Sequence, residues 1–221
     1  MRCVVLGGPH AWTREAFHEC ARRYLGAELH RWIWCEHPEQ ITAYAPTWVF
    51  VLHWSGKVPD EIVRAWRCIN FHMTDVPYGR GGTPLQNLIL RGHQNTVLSA
   101  IRMTEGWDDG HVYGKRKLSL EGTAEEIYQR TMQLAVEMIG LILTDSVTPT
   151  AQTGDVTIFK RRTPEQSCIS GAGSISTLYD HLRMLDADGY PRAFLEHQGR
   201  RYTFRHPAMT PAGIHAEVDI T

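Results

Sequence analysis

INFHMTDVPYGRGGTP, residues 69–84, reads as a strand ending in polar side chains, then a glycine-rich loop, then the start of a helix. Asn70 and His72 are two apart, and side chains two apart on a strand project from one face. Gly79, Gly81 and Gly82 let the following loop bring its backbone close to a ligand. Thr83, Pro84 and Gln86 then offer an N-cap, a first helical residue and the N3 partner of a capping box, with Gly92 as the stop. Strand, loop and helix in this order form the repeating step of an open α/β sheet, whose ligands gather beyond the carboxyl ends of the strands.

Outward from this segment the same step recurs. Short apolar, often β-branched runs at residues 3–6, 29–34, 48–52, 68–72 and 97–103 are expected strands, separated by amphipathic stretches, so an α/β fold with a mostly parallel sheet and helices on both faces is expected. Thr13 is positioned to cap a helix of about residues 14–25, with Trp12 and Phe17 as a staple and Gly26 closing it. Thr123 and Glu126 form a second capping box before a long helix reaching about Thr144. Periodicity fades over residues 146–174 apart from VTIFK, which divides the chain into a main α/β domain, 1–148, and a small α+β C-terminal annex, 149–221. In the annex, Ile175, Leu178, Leu182 and Leu185 predict a helix stopped near Gly189 and Pro191. AFLE and RYTF predict a hairpin around His197, Gln198 and Gly199, and residues 214–220 a last strand.

Composition narrows the partners. A formal net charge of -1 provides no global attraction for polyanions, so a nucleic-acid partner is not expected. No apolar run approaches the roughly 18 residues of a membrane span, and MRCVVLGGPHAW lacks a secretory cleavage pattern, which reads as a cytoplasmic protein without a membrane partner. Five scattered cysteines suit reduced packing thiols, with no disulfides expected. His30, Cys35 and His37 lack further ligands at a recognised spacing, so no metal is expected, and Gly7-Gly8 is not a dinucleotide fingerprint. Lys115, Arg116 and Lys117 read as a solvated basic run.

Asp108, in TEGWDDG after the strand of residues 97–103, meets Asn70 and His72 if their strands are neighbours. An amide, an imidazole and a carboxylate suit acyl transfer to an amine: amide and imidazolium stabilise the oxyanion, and the carboxylate compensates the imidazolium and helps drain a proton. Register favours Asp108 over Asp109, which reads as a turn residue before Gly110. There is no GxSxG elbow and no cysteine in an electropositive loop, so no covalent nucleophile is expected.

NFHMTDVPYGRGGTP resembles the signature of the folate-dependent formyltransferases, in which Asn-x-His precedes a small hydroxyl residue, Pro, an aromatic, Arg-Gly and a second Pro, and the spacing to EGWDDG matches too. The resemblance covers about residues 1–145 and, more faintly, YDHLRMLDADGYPRAFLE. It implies a Rossmann-like domain using 10-formyltetrahydrofolate, with catalytic Asn70, His72 and Asp108. One folate wall would be His53, Trp54, Ser55, Gly56 and Lys57, the other Thr104, Glu105, Gly106 and Trp107. Thr74, Tyr78 and Arg80 fall in the loop beside the acceptor. Thr74 stands where many members have serine, Asp75 where an apolar residue is usual, and Gly79 separates Tyr78 from Arg80.

Length, annex and glycine-rich loop resemble the sugar N-formyltransferases best. The expected function is therefore formylation of a nucleotide-linked 4-amino-4,6-dideoxy sugar for surface polysaccharide biosynthesis, by a chain whose strand edges suit a homodimer. Alternatives are a methionyl-tRNA or glycinamide ribonucleotide formyltransferase, or a non-catalytic small-molecule-binding module.

Overall fold

The computed structural model describes residues 1–24, 31–144, 147–169, 171 and 173–221. In chain order the elements are β1 (Arg2–Gly7), α1 (Ala11–Arg23), β2 (Arg31–Cys35), β3 (Trp48–Leu52), α2 (Asp60–Ala65), β4 (Arg67–His72), β5 (Arg80–Gly81), α3 (Pro84–Leu90), β6 (Asn95–Arg102), β7 (Val112–Ser119) and α4 (Ala124–Leu143). β8 (Ile158–Phe159), α5 (Ile175–Arg183), β9 (Phe194–His197), β10 (Arg200–Thr210) and β11 (Gly213–Ile220) complete it, with 3-10 turns at Pro38–Tyr44 and Pro164–Ser167. The chain forms two compact units. One comprises Met1–Gly81, Thr96–Leu118 and Gln129–Ile158; the other Gly82–Asn95, Ser119–Tyr128 and Phe159–Thr221.

The first unit is built on a six-stranded sheet of order β2-β1-β3-β4-β6-β7. β1 pairs in parallel with β2 and β3, and β3 with β4, whereas β6 runs antiparallel to β4. Every residue of β3 and all of β1 beyond Arg2 are buried. Successive strand residues point to opposite faces, so both faces of the sheet are covered, and the continuous apolar runs follow from that. β7 escaped the sequence reading because VYGKRKLS has no clean alternation. It is an edge strand, and lysines on an edge discourage pairing with a further chain.

Helix starts differ in detail from the sequence expectation. α1 begins at Ala11 after His10, and Thr13 lies inside its first turn, where the hydroxyl hydrogen-bonds to the carbonyls of Gly8 and His10 at 2.7 Å each. Thr13 is therefore not the cap; Leu25, Gly26, Leu29 and His30 lie outside the described residues. The Thr123–Glu126 box forms, with the Thr123 N–H donating to Glu126 Oε2 at 2.8 Å. The Thr83–Gln86 box does not. Thr83 takes a left-handed φ of 46° with no side-chain cap bond, while Gln86 Nε2 reaches Tyr128 Oη and the Met184 carbonyl.

In the second unit, β11-β10-β9 form an antiparallel sheet, with Gln198 and Gly199 at the β9–β10 turn. Ser174 caps α5 by accepting the Thr177 N–H at 3.1 Å. No described helix is long and apolar enough to cross a membrane.

Candidate active site

β4 and β6 are neighbours, but antiparallel: His72 faces Ser99 and Ile69 faces Arg102. The end of β6 thus lies beside the beginning of β4, and residues 103–111 must turn back to bring a carboxylate to Asn70 and His72. Arg102 N–H donates to the His111 carbonyl at 2.8 Å, closing that loop. Gly110 sits where a Cβ would collide with the Arg102 carbonyl. Asp108 adopts a left-handed φ of 52°, which aspartate tolerates better than most residues.

At the meeting point Asn70 Nδ2 donates to Asp108 Oδ1 at 2.8 Å. The Gly81 N–H donates to Asp108 Oδ2 at 2.9 Å, and His72 Nδ1 lies 3.5 Å from the same oxygen. His72 Nε2 meets the Gly79 carbonyl at 2.8 Å, so acceptors face both ring nitrogens. The His72 and Asp108 side chains are only 8% and 9% exposed, and charges so placed act on one another several times more strongly than in bulk water. Asn70 Oδ1 is buried without a hydrogen-bond partner among the described residues. The neighbouring Asp109 is exposed, and its carboxylate accepts the Thr104 hydroxyl.

The glycine-rich loop is tied from within. Thr74 is fully buried; its hydroxyl donates to the Gly79 carbonyl at 3.2 Å and its own carbonyl accepts the Ser99 hydroxyl at 2.7 Å. The Tyr78 N–H closes a turn onto the Asp75 carbonyl, and Arg80 directs Nε and Nη2 at Gln152. Thr74 and Arg80 thus have internal partners, and Tyr78 is half-buried.

In the first expected folate wall Trp54 packs against an apolar cluster that includes Val51, Val58, Ile62 and Cys68, and Met103, the residue before the second wall, packs against the same cluster. Trp54 Nε1 is a buried donor without a partner among the described residues, and Gly56 lies against its indole. Lys57 pairs with Asp60 at 2.8 Å and Glu105 with Arg64 at 2.8 Å, while Ser55 and Gly106 are exposed and Trp107 is 57% exposed. His53 has a left-handed φ of 50° and stands edge-on to the stacked His10 and Trp12 rings. Burial, with a smaller contribution from His10, pushes the His53 imidazole down to about 3.

Gln152, the Gly79 carbonyl and the Gly81 N–H were not anticipated. Backbone groups have no sequence signature, and VTPTAQTG has no periodicity to mark its glutamine. Among the described residues no group of histidines, cysteines and carboxylates is placed to hold a metal ion.

Residues 164–221 match the family described as Methionyl-tRNA formyltransferase, C-terminal domain. The methionyl-tRNA formyltransferase of Ehrlichia ruminantium (strain Gardel) is 27% identical over 172 residues, covering 75% of this chain and 55% of its own length. The chain spans about half the length of the curated relatives it matches. A solved structure titled methionyl-tRNA formyltransferase from Clostridium thermocellum is 37% identical, with a TM-score of 0.93 over 100% of this chain and 99% of its own. A sugar N-formyltransferase from Shewanella sp FDAARGOS_354 reaches a TM-score of 0.71 over 93% of this chain and 97% of its own, at 16% identity, a likeness of fold alone.

The chain belongs to the formyltransferase family, whose formyl donor is 10-formyltetrahydrofolate. Within that family its sequence relatives carry the name methionyl-tRNA formyltransferase, which overturns the expected nucleotide-linked amino sugar and the expected absence of a nucleic-acid partner. Two inferences misled. The annex resembles that of the sugar N-formyltransferases, yet its residues 164–221 match the C-terminal family of the methionyl-tRNA formyltransferases. A net charge of -1 disfavours RNA as a partner only globally, since a sum over the chain says nothing about any one face.

Proposed function

We propose that this protein transfers the formyl group of 10-formyltetrahydrofolate to the α-amine of the methionine on methionyl-tRNA. The observation that carries the reading is the end-to-end likeness at 37% identity to a protein of that name. The residues present fit a formyl donor and an amine acceptor. The site offers a buried amide with one oxygen still to be met, an imidazole, and a carboxylate with both oxygens held.

When bound, the donor supplies an electrophilic formyl carbon. Asn70 Nδ2 gives one proton to Asp108 and has a second for the carbonyl oxygen as it gains negative charge. Asn70 Oδ1 accepts an N–H of the incoming amine and aims its lone pair. His72, whose two ring nitrogens face the Gly79 carbonyl and Asp108, would supply positive charge beside the site when protonated. Asp108 would take up the proton shed by the amine and return it to the donor nitrogen as that nitrogen's bond to the formyl carbon breaks. Asp108 also keeps amide and ring in register, since it touches both. Trp54 Nε1 and the backbone of residues 53–57 and 104–107 would hold the pterin. Incubation with the donor and methionyl-tRNA should give formylmethionyl-tRNA, detected after deacylation by mass spectrometry; no formylated product from well-folded protein would overturn the assignment.

A further inference from the structure

We propose that Gln152 is a positioning residue for Asp108, an inference that rests on the formyl-transfer reading above. Val112 and Thr150 form an antiparallel bridge, with N–H to carbonyl distances of 2.8 and 3.0 Å. Two residues on from Thr150 and two back from Val112, this register sets Gln152 opposite Gly110. Gln152 Nε2 donates to the carbonyls of Asp108 at 2.7 Å and Gly110 at 2.8 Å. Its Oε1 accepts Arg80 Nε at 3.1 Å and Nη2 at 2.8 Å. Both amide protons and the oxygen are therefore engaged.

The geometry links two supports of one carboxylate. Gly81, whose N–H donates to Asp108 Oδ2, directly follows Arg80. Gln152 thus fixes the backbone at Asp108 and, through Arg80, the donor that orients its side chain. Asp108 needs this because its left-handed φ is not one the loop would adopt by default. A misplacement of about 1 Å in a group that must meet Asn70 and His72 together is enough to cost roughly a hundredfold in rate.

The test compares Gln152→Met, which keeps the volume and loses the hydrogen bonds, with Gln152→Glu, which keeps the acceptor for Arg80 but sets an oxygen against two carbonyls. Each is measured alone and combined with Asp108→Asn. Alone, each should lower kcat about tenfold or more with KM for the donor within about twofold. Combined with Asp108→Asn, each should change kcat by less than about twofold, because residues acting through one another are not additive. Equal losses in both backgrounds, or full activity in Gln152→Glu, overturn the proposal; if Gln152→Met does not fold, Gln152→Glu decides. If the wild-type protein transfers no formyl group, the parent reading has failed instead, and amide exchange at Gly81 then decides this one. Faster exchange at Gly81 in either variant supports it, and unchanged protection overturns it.

Discussion

Asp108 receives the Asn70 amide on one oxygen and the Gly81 N–H on the other, with His72 beside it. Asp108→Asn removes the charge and also turns one acceptor into a donor facing a donor. Turnover should fall by roughly a hundredfold, whereas Asp109→Asn, which disturbs only the exposed contact to Thr104, should cost less than about tenfold. The reverse ranking in steady-state rates would move the working carboxylate to Asp109. Asn70→Ala or His72→Ala should also cost about a hundredfold while retaining affinity for 5-formyltetrahydrofolate, an unreactive stand-in for the donor, measured by calorimetry. His53 makes a different prediction. Its folded imidazole titrates near 3 against an ordinary value of 6.5, so the unfolded chain binds the extra proton between those values. The stability it contributes is complete above about 6.5 and is lost as pH falls toward 3. His53→Gln should lose less melting temperature than wild type between neutral pH and pH 4; parallel declines would show that the environment of His53 is not the cause.

At the scale of elements, the two capping boxes separate what sequence can reveal from what it cannot. Thr123 and Glu126 satisfy one another through local bonds, so a four-residue pattern was enough to find them. Thr83 and Gln86 have the same pattern, but Thr83 Oγ1 accepts the Arg162 N–H at 3.1 Å and Gln86 is bonded to Tyr128 and Met184, partners far along the chain. Thr123→Ala should therefore destabilise the protein by about 1 kcal/mol in urea unfolding, and no shift in midpoint would mean that the box contributes nothing. Strand pairing follows the same division. Asn70 and His72 share a face because strand periodicity is local, whereas the antiparallel β4–β6 pairing, which decides how Asp108 arrives, is long-range. The mutual approach of the three residues was legible; the return loop and Gln152 were not.

At the scale of the whole molecule, the proposed acceptor is a polyanion and the protein carries a formal net charge of -1. Association with methionyl-tRNA cannot draw on the global field, so it must come from local contacts between cationic side chains and phosphates. KM for methionyl-tRNA should rise as salt is increased, with a slope that counts those contacts, while affinity for 5-formyltetrahydrofolate changes far less. A KM independent of salt would remove phosphate contacts from the account of binding. The α/β architecture was legible because each strand and helix announces itself locally. Acceptor identity was not, because it depends on how separate surface residues are gathered, which neither net charge nor the length of residues 149–221 encodes.

Trp107 adjoins Asp108 in the chain and is 57% exposed, while the other six tryptophans are buried or half-buried. Collisional quenchers such as acrylamide reach an indole in proportion to its access to solvent, so Trp107 dominates the quenchable part of the emission. The protein therefore has a built-in optical reporter one residue from its proposed catalytic carboxylate. A ligand arriving there should shield this indole and lower the quenching constant without any dye or label.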